Sequence, residues 1–188
     1  PSFVAADLIT DTEHGADSTG ILLTDSKELA IAVGREINLQ LEKLSTKKVI
    51  SASLAIYGAI IIFENINNAV SFANEYAPEH LQIMTDSPNR VANKIRNAGS
   101  VFIGPWSTKS SGDYATGATH VLPTGKMAKT FWPLSVEAFG KMLQYQKVTK
   151  AGLKKIRKTI RVFADVEKLP AHKNSVEIRF KDVQPGGL

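Results

Sequence analysis

Apolar residues along this chain recur with two alternating periods, and the alternation sets out the elements. Over 1–13, Phe3, Val4, Leu8 and Ile9 share one side of a predicted helix that stops near Gly15. A short apolar run, Ile21-Leu22-Leu23, follows. Asp25 with Glu28 three residues on then resembles a capping box, opening a helix whose buried face is Leu29, Val33, Ile37 and Leu41. The unit recurs: residues 59–63 read as a fully buried strand, and Asn65 caps a helix carrying Val70, Phe72 and Ala73. A third copy places a strand over 81–84, a cap at Asp86, a helix face at Val91 and Ile95, a stop at Gly99 and a strand over 101–103.

Short strands alternating with helices predict an α/β fold, a partial doubly wound, Rossmann-like and mostly parallel sheet. From 104 to 133 periodicity gives way to Gly, Ser, Thr and Pro, although Trp106, Tyr114, His120, Val121 and Leu122 make the stretch too apolar for a linker. Loops of that length within a compact domain are commonly functional. Beyond it the pattern predicts helices over 135–146 and 151–164 and, after Pro170, a short strand in which Val176, Ile178 and Phe180 alternate with polar residues. This gives a Rossmann-like part over 1–133 and a small helical and strand appendage over 134–188.

Composition narrows the chemistry. With 188 residues, 43% of them hydrophobic, the chain has enough apolar content for one ordinary core. Its longest apolar run, 54–63, is about half of the ~20 residues a spanning helix needs, so the expectation is a soluble, cytoplasmic chain without membrane contact. No signal peptide is visible, and the opening on Pro-Ser-Phe suggests a truncated chain. The absence of cysteine leaves only nitrogen and oxygen as metal ligands. The net charge of +5 is concentrated over 141–181, where twelve Lys/Arg face three Asp/Glu. Lys150, Lys154, Arg157, Lys158 and Arg161 recur opposite Leu153, Ile156, Ile160 and Phe163, which favours a solvated helix face over a nucleic-acid surface.

Four histidines, His14, His80, His120 and His172, are the nitrogen candidates. Asp11 and His14, three apart at a helix end, would project from one face as two ligands of one cation must, although both also suit solvent. Asp113, in Ser-Gly-Asp-Tyr, has a neighbouring glycine that permits close backbone approach, although taken alone it reads as a turn aspartate. Glu79-His80 follows Pro78 at a strand start, where a carboxylate and an imidazole of ordinary pKa near ~6.5 can together activate water and pass protons.

Five ordered motifs then resemble one family. Glu13-His14-Gly15, Asn74-Glu75-Tyr76-Ala77-Pro78-Glu79-His80-Leu81, Ala98-Gly99-Ser100-Val101-Phe102-Ile103-Gly104, the pair Ser111-Gly112-Asp113-Tyr114-Ala115-Thr116-Gly117 with Thr119-His120-Val121-Leu122-Pro123-Thr124, and Ala171-His172-Lys173-Asn174 resemble histidinol dehydrogenase, over nearly the whole chain. The resemblance implies a zinc-dependent enzyme that oxidises L-histidinol through histidinal to L-histidine, with NAD accepting two hydrides. It implies Asp11, His14, Asp113 and His172 as zinc ligands, a set that also suits manganese or cobalt, with the metal orienting the substrate. Glu79 would activate water and His80 would accept the hydroxyl proton. His120 and Glu167 would bind substrate. It further implies a homodimer in which Glu167 and His172 complete the partner's site. The stripe Leu153, Ile156, Ile160 and Phe163 would then serve either that interface or the subunit's own core.

This chain departs from the family at two of these places. Asp11 stands where glutamine is usual, and Lys109 where glutamate is common. The NAD-contacting residues of the family, with one substrate-binding serine, precede the segment that matches Pro1, and no Gly-rich dinucleotide fingerprint replaces them. The expectation is that this chain alone does not turn over histidinol, or that it belongs to a degenerate metal-binding paralogue without dehydrogenase activity.

Overall fold

A computed structural model describes residues 1–181; the end of the 134–188 appendage, residues 182–188, lies outside them. The chain forms two units, Pro1–Gly140 and Lys141–Leu188.

In the first unit, helix α1 (Ser2–Thr12) leads to strand β1 (Gly20–Thr24) and helix α2 (Lys27–Leu41). The cap of α2 is Ser26, not Asp25: its Oγ accepts from the Leu29 amide at 3.1 Å and donates to Glu28 Oε2 at 3.1 Å. A hydroxyl does both and a carboxylate cannot, which is why Glu28 works with the serine. Helix α3 (Lys47–Tyr57) is absent from the sequence reading. Its inward stripe contains a polar member, Ser53, fully buried and donating to the Ser18 carbonyl at 2.7 Å, and that serine interrupts the apolar period. Ile9 of α1, Leu41 of α2 and Ile50 of α3 meet in a core flanked by Ile37 and Leu54. Each such side chain contributes about 1.5–3 kcal/mol by leaving water.

Strand β2 (Gly58–Ile62) pairs in parallel with β1, Gly20 opposite Gly58 through Thr24 opposite Ile62. The expectation that this strand is buried throughout is corrected: Ile60 and Ile62 are 40% and 50% exposed, because alternate side chains of a strand point to opposite faces and one face is uncovered here. Asn65 caps α4 (Ile66–Tyr76) as the sequence indicated, its Oδ1 accepting from the Asn67 and Asn68 amides. Strand β3 (His80–Ile83), the five-residue helix α5 (Pro88–Ala92) and strand β4 (Ser100–Ile103) follow. The N-cap of α5 is Ser87 rather than Asp86, and the helix ends well before Gly99. β3 and β4 are also parallel. The α/β class and the parallel pairing are thus as read, with the four strands of the described residues falling into two pairs. Ile21 to Thr24 of β1 and His80 to Ile83 of β3 line one cleft of about 1620 Å³.

The 104–133 stretch is not wholly irregular, since α6 (Lys109–Tyr114) forms within it, capped by Thr108 accepting from the Ser111 amide. The predicted helix over 135–146 is corrected to a single 3-10 turn, Val136–Phe139. Phe139, Met142, Leu143 and Tyr145 are all exposed, so no face of that segment is buried to stabilise a helix.

In the second unit, α7 (Lys150–Val166) starts at Thr149, whose Oγ1 accepts from the Gly152 amide. Its basic residues lie opposite the apolar stripe, and Ile156 and Phe163 of that stripe are exposed. The predicted strand near 176–180 is corrected to helix α8 (Pro170–Glu177) and a 3-10 turn, Ile178–Phe180. The i,i+2 alternation of Val176, Ile178 and Phe180 falls on helical backbone that Arg157 of α7 ties down: it pairs with Glu177, and its guanidinium lies 4.9 Å from the Phe180 ring centroid. That pairing holds the Glu177 carboxyl below its usual pKa.

Candidate functional site

Helix α1 and helix α6 meet at the cleft, α1 offering two carboxylates and α6 a lysine and a carboxylate. On α1, Asp7, Asp11 and then His14, just past the C-cap, follow at intervals of four and three. On α6, Lys109 and Asp113 are i,i+4 partners. Gly112 sets how close α6 can come: a Cβ there would lie 2.6 Å from Phe102 Cε1 and 3.0 Å from Cζ, so only glycine lets the helix rest on that ring of β4. Gly112→Ala is expected to cost about 1–3 kcal/mol by overpacking against a rigid ring. Thermal unfolding checks this, and an unchanged midpoint would contradict the close approach.

The two helices join at one atom. Lys109 Nζ lies 2.8 Å from Asp113 Oδ2, 3.2 Å from Asp11 Oδ1 and 2.8 Å from His14 Nε2. Lys109 is only 6% exposed. A charged ammonium only donates, so Nε2 of His14 accepts and its ring proton sits on Nδ1. Burial works against the lysine's charge, but the Asp113 hydrogen bond and the Asp11 charge outweigh it and raise its pKa. Asp7, one turn before Asp11, has its carboxyl pushed up, first by burial and then by the Asp11 charge.

Beside this cluster stands His80, its Nδ1 3.8 Å from Asp11 Oδ1 and its ring stacked near Phe102 at 6.1 Å. The first distance is too long for a hydrogen bond and short enough for charge support of a protonated imidazole. The backbone that carries Glu79 and His80 is pinned from two sides. Ala77 closes α4 in the left-handed region at φ 54°, a costly conformation for a residue with a Cβ, and Pro78 follows at once. Gly99 and Ser100 then donate to the Pro78 and Glu79 carbonyls at 2.9 and 2.8 Å, and a Cβ on Gly99 would lie 2.6 Å from the Glu79 oxygen. Asn74 Oδ1 accepts from the Arg96 and Asn97 amides, fixing the segment that leads to Gly99. The motif around 74–81 and that around 98–104 are therefore two halves of one support.

The fold brings together Asp11, His14 and Asp113, with His80 alongside, and sets Glu79 and His120 on the same cleft. Glu167, the C-cap of α7, and His172, in α8, belong to the second unit and are exposed. Lys109 and Asp7 escaped the sequence reading as site members. Among the described residues no group of three His, Cys, Asp or Glu is arranged to hold a metal ion.

A parallel α/β unit whose cleft gathers carboxylates and histidines has the features of a small-molecule site. The chain belongs to the histidinol dehydrogenase family, whose sequence model matches residues 1–180. It is 43% identical over 180 residues to the histidinol dehydrogenase of Caldanaerobacter subterraneus subsp. tengcongensis, covering 96% of this chain and 42% of that protein. It is 46% identical over 179 residues to that of Buchnera aphidicola, covering 95% and 41%. The crystal structure of histidinol dehydrogenase from Elizabethkingia anophelis superimposes with a TM-score of 0.91 at 40% identity, covering 96% of this chain and 42% of that one. The chain thus spans about two-fifths of the length of these relatives.

Among the described residues, no helix is long and apolar enough to cross a membrane.

Proposed function

We propose that the protein to which this chain belongs oxidises L-histidinol to L-histidine through histidinal, the last step of histidine biosynthesis. The observation that carries this reading is the placement of Glu79 and His80 on the cleft beside Asp11, in a chain matched to the family along its length. NAD, when bound, supplies the acceptor for the hydride lost from the substrate carbon in each oxidation. Among the described residues, none of the four strand-to-helix turns is a Gly-rich pyrophosphate cradle, Gly104 being the only glycine in them, so no residue described here is assigned to the dinucleotide.

The residues of this chain move protons. In the first oxidation His80 accepts the hydroxyl proton as the carbinol carbon loses its hydride, and Asp11 at 3.8 Å stabilises the imidazolium that forms. In the second, Glu79 takes a proton from water as its oxygen bonds to the aldehyde carbon. Loss of the second hydride from the hydrated aldehyde leaves the carboxylic acid, which ionises. Glu167 and His172, exposed on the second unit, are accessible to a second copy of the protein, as a homodimer with shared sites requires.

No step is routed through zinc. The donor types of Asp11, His14 and Asp113 suit that ion, yet all three are engaged by Lys109, so the residues present do not fit a metal. The same contact favours a second reading, a paralogue without dehydrogenase activity. The two are separated by incubating the intact protein with L-histidinol and NAD. Two NADH formed per histidinol consumed supports the enzyme, and no NADH from a folded protein selects the paralogue.

A further inference from the structure

We infer that the Lys109 ammonium is a tethered substitute for a metal ion, closing the Asp11, His14 and Asp113 cluster so that the protein holds this site together without a divalent cation. The inference deepens the histidinol reading and rests on it only for what the site serves.

Three observations converge. First, an ammonium has three N–H donors and no acceptor, and Lys109 has three partners within 3.2 Å, two carboxylates and an imidazole nitrogen. The His14 contact is a hydrogen bond and the two carboxylate contacts are ion pairs, so the ammonium is enclosed by its three partners. Second, the lysine is buried at 6% exposure, so its charge is compensated by these partners rather than by solvent. A divalent cation brought to the same donors would face a buried like charge at hydrogen-bond range, or would have to expel the lysine and break three contacts at once. Third, the Asp11 carboxylate of α1 and the Lys109 ammonium of α6 are in direct contact at 3.2 Å, so the charge of each is balanced inside the cluster. The resulting tie joins α1 to α6 across 95 residues of sequence, the structural service a shared metal would give.

The test counts metal in the intact protein. After growth with zinc and exhaustive dialysis, the wild-type protein is expected to retain far less than one zinc per subunit. Titrated with Co²⁺ and followed by its visible absorption, Lys109→Met should bind on the order of 100-fold more tightly than wild type, since removing the ammonium leaves two carboxylates and an imidazole without a counter-charge. Lys109→Gln, also uncharged, provides the same comparison should the methionine variant fail to fold. Adding Asp113→Asn should remove the gain, which locates it. Stoichiometric zinc in the wild type, or cobalt affinity unchanged by either Lys109 substitution, overturns the inference. Failure of the histidinol reading appears instead as absent NADH, whatever the metal count.

Discussion

Lys109→Ala is expected to destabilise the intact, metal-free protein by about 2–4 kcal/mol. Removing one partner of a buried ion cluster leaves the others uncompensated, and such losses run to about 3–5 kcal/mol when burial is complete. The lower figure applies because the Asp11 side chain keeps 31% of its exposure and can recover some hydration, whereas Asp113 keeps 16%. Urea unfolding gives the number. The same variant should regain part of the loss when zinc is added, because a ligand that binds only the folded state stabilises it by mass action. The wild type should gain nothing. A change below about 0.5 kcal/mol, typical of ordinary surface substitutions, would show that the cluster carries no weight in the fold.

Glu79→Gln is expected to slow the second oxidation about 10²–10⁴-fold, the usual contribution of a positioned general base, while the oxidation of the alcohol stays within a few-fold of wild type. Glutamine keeps the size and hydrogen-bonding shape of the side chain but cannot take the proton of the attacking water. Single-turnover measurements started separately from histidinol and from histidinal distinguish the two steps. Equal loss in both would assign Glu79 to positioning instead. The support built by Ala77, Gly99 and Asn74 makes the contrast interpretable, since the backbone at Glu79 is fixed independently of its carboxylate.

How much of this was legible in the sequence depended on whether the relevant interaction was local. Helices α1, α2, α4 and α7 announced themselves by apolar period, and Asn65 by a cap three residues from the amide that donates to it. Helix α3 did not, because its buried stripe includes Ser53, and only the distant Ser18 carbonyl makes that serine acceptable in a core. Helix α6 did not, because Lys-Ser-Ser-Gly-Asp-Tyr has neither apolar period nor strong propensity and forms on its Thr108 cap and its seat against Phe102. Missing that helix hid the i,i+4 relation of Lys109 and Asp113, and with it the central atom of the cluster. Asp7 lay within reach, as the first member of the Asp7, Asp11, His14 row on α1. The strand expected near 176–180 came from the alternation of Val176, Ile178 and Phe180 alone, whereas the helix there is tied to α7 by the Arg157 and Glu177 pair, a contact between elements that no window on one segment contains.

The family motifs were legible as strings, and the structure supplies what each does. Ser-Gly-Asp seats α6 on Phe102, and Ala-Gly-Ser grips the Glu79 carbonyl. Glu-His-Gly places His14 against Lys109. Three of the four residues carried over by motif as metal ligands, Asp11, His14 and Asp113, therefore converge while meeting a different cation, and the fourth, His172, lies exposed on the second unit.

A crystal structure of the intact protein, soaked in zinc and recorded on both sides of the zinc absorption edge, bears most directly on that cation. The account predicts Lys109 Nζ in hydrogen-bond contact with Asp11, His14 and Asp113 and no anomalous peak among them. An anomalous peak bound by those three side chains, with Lys109 turned away, would contradict it.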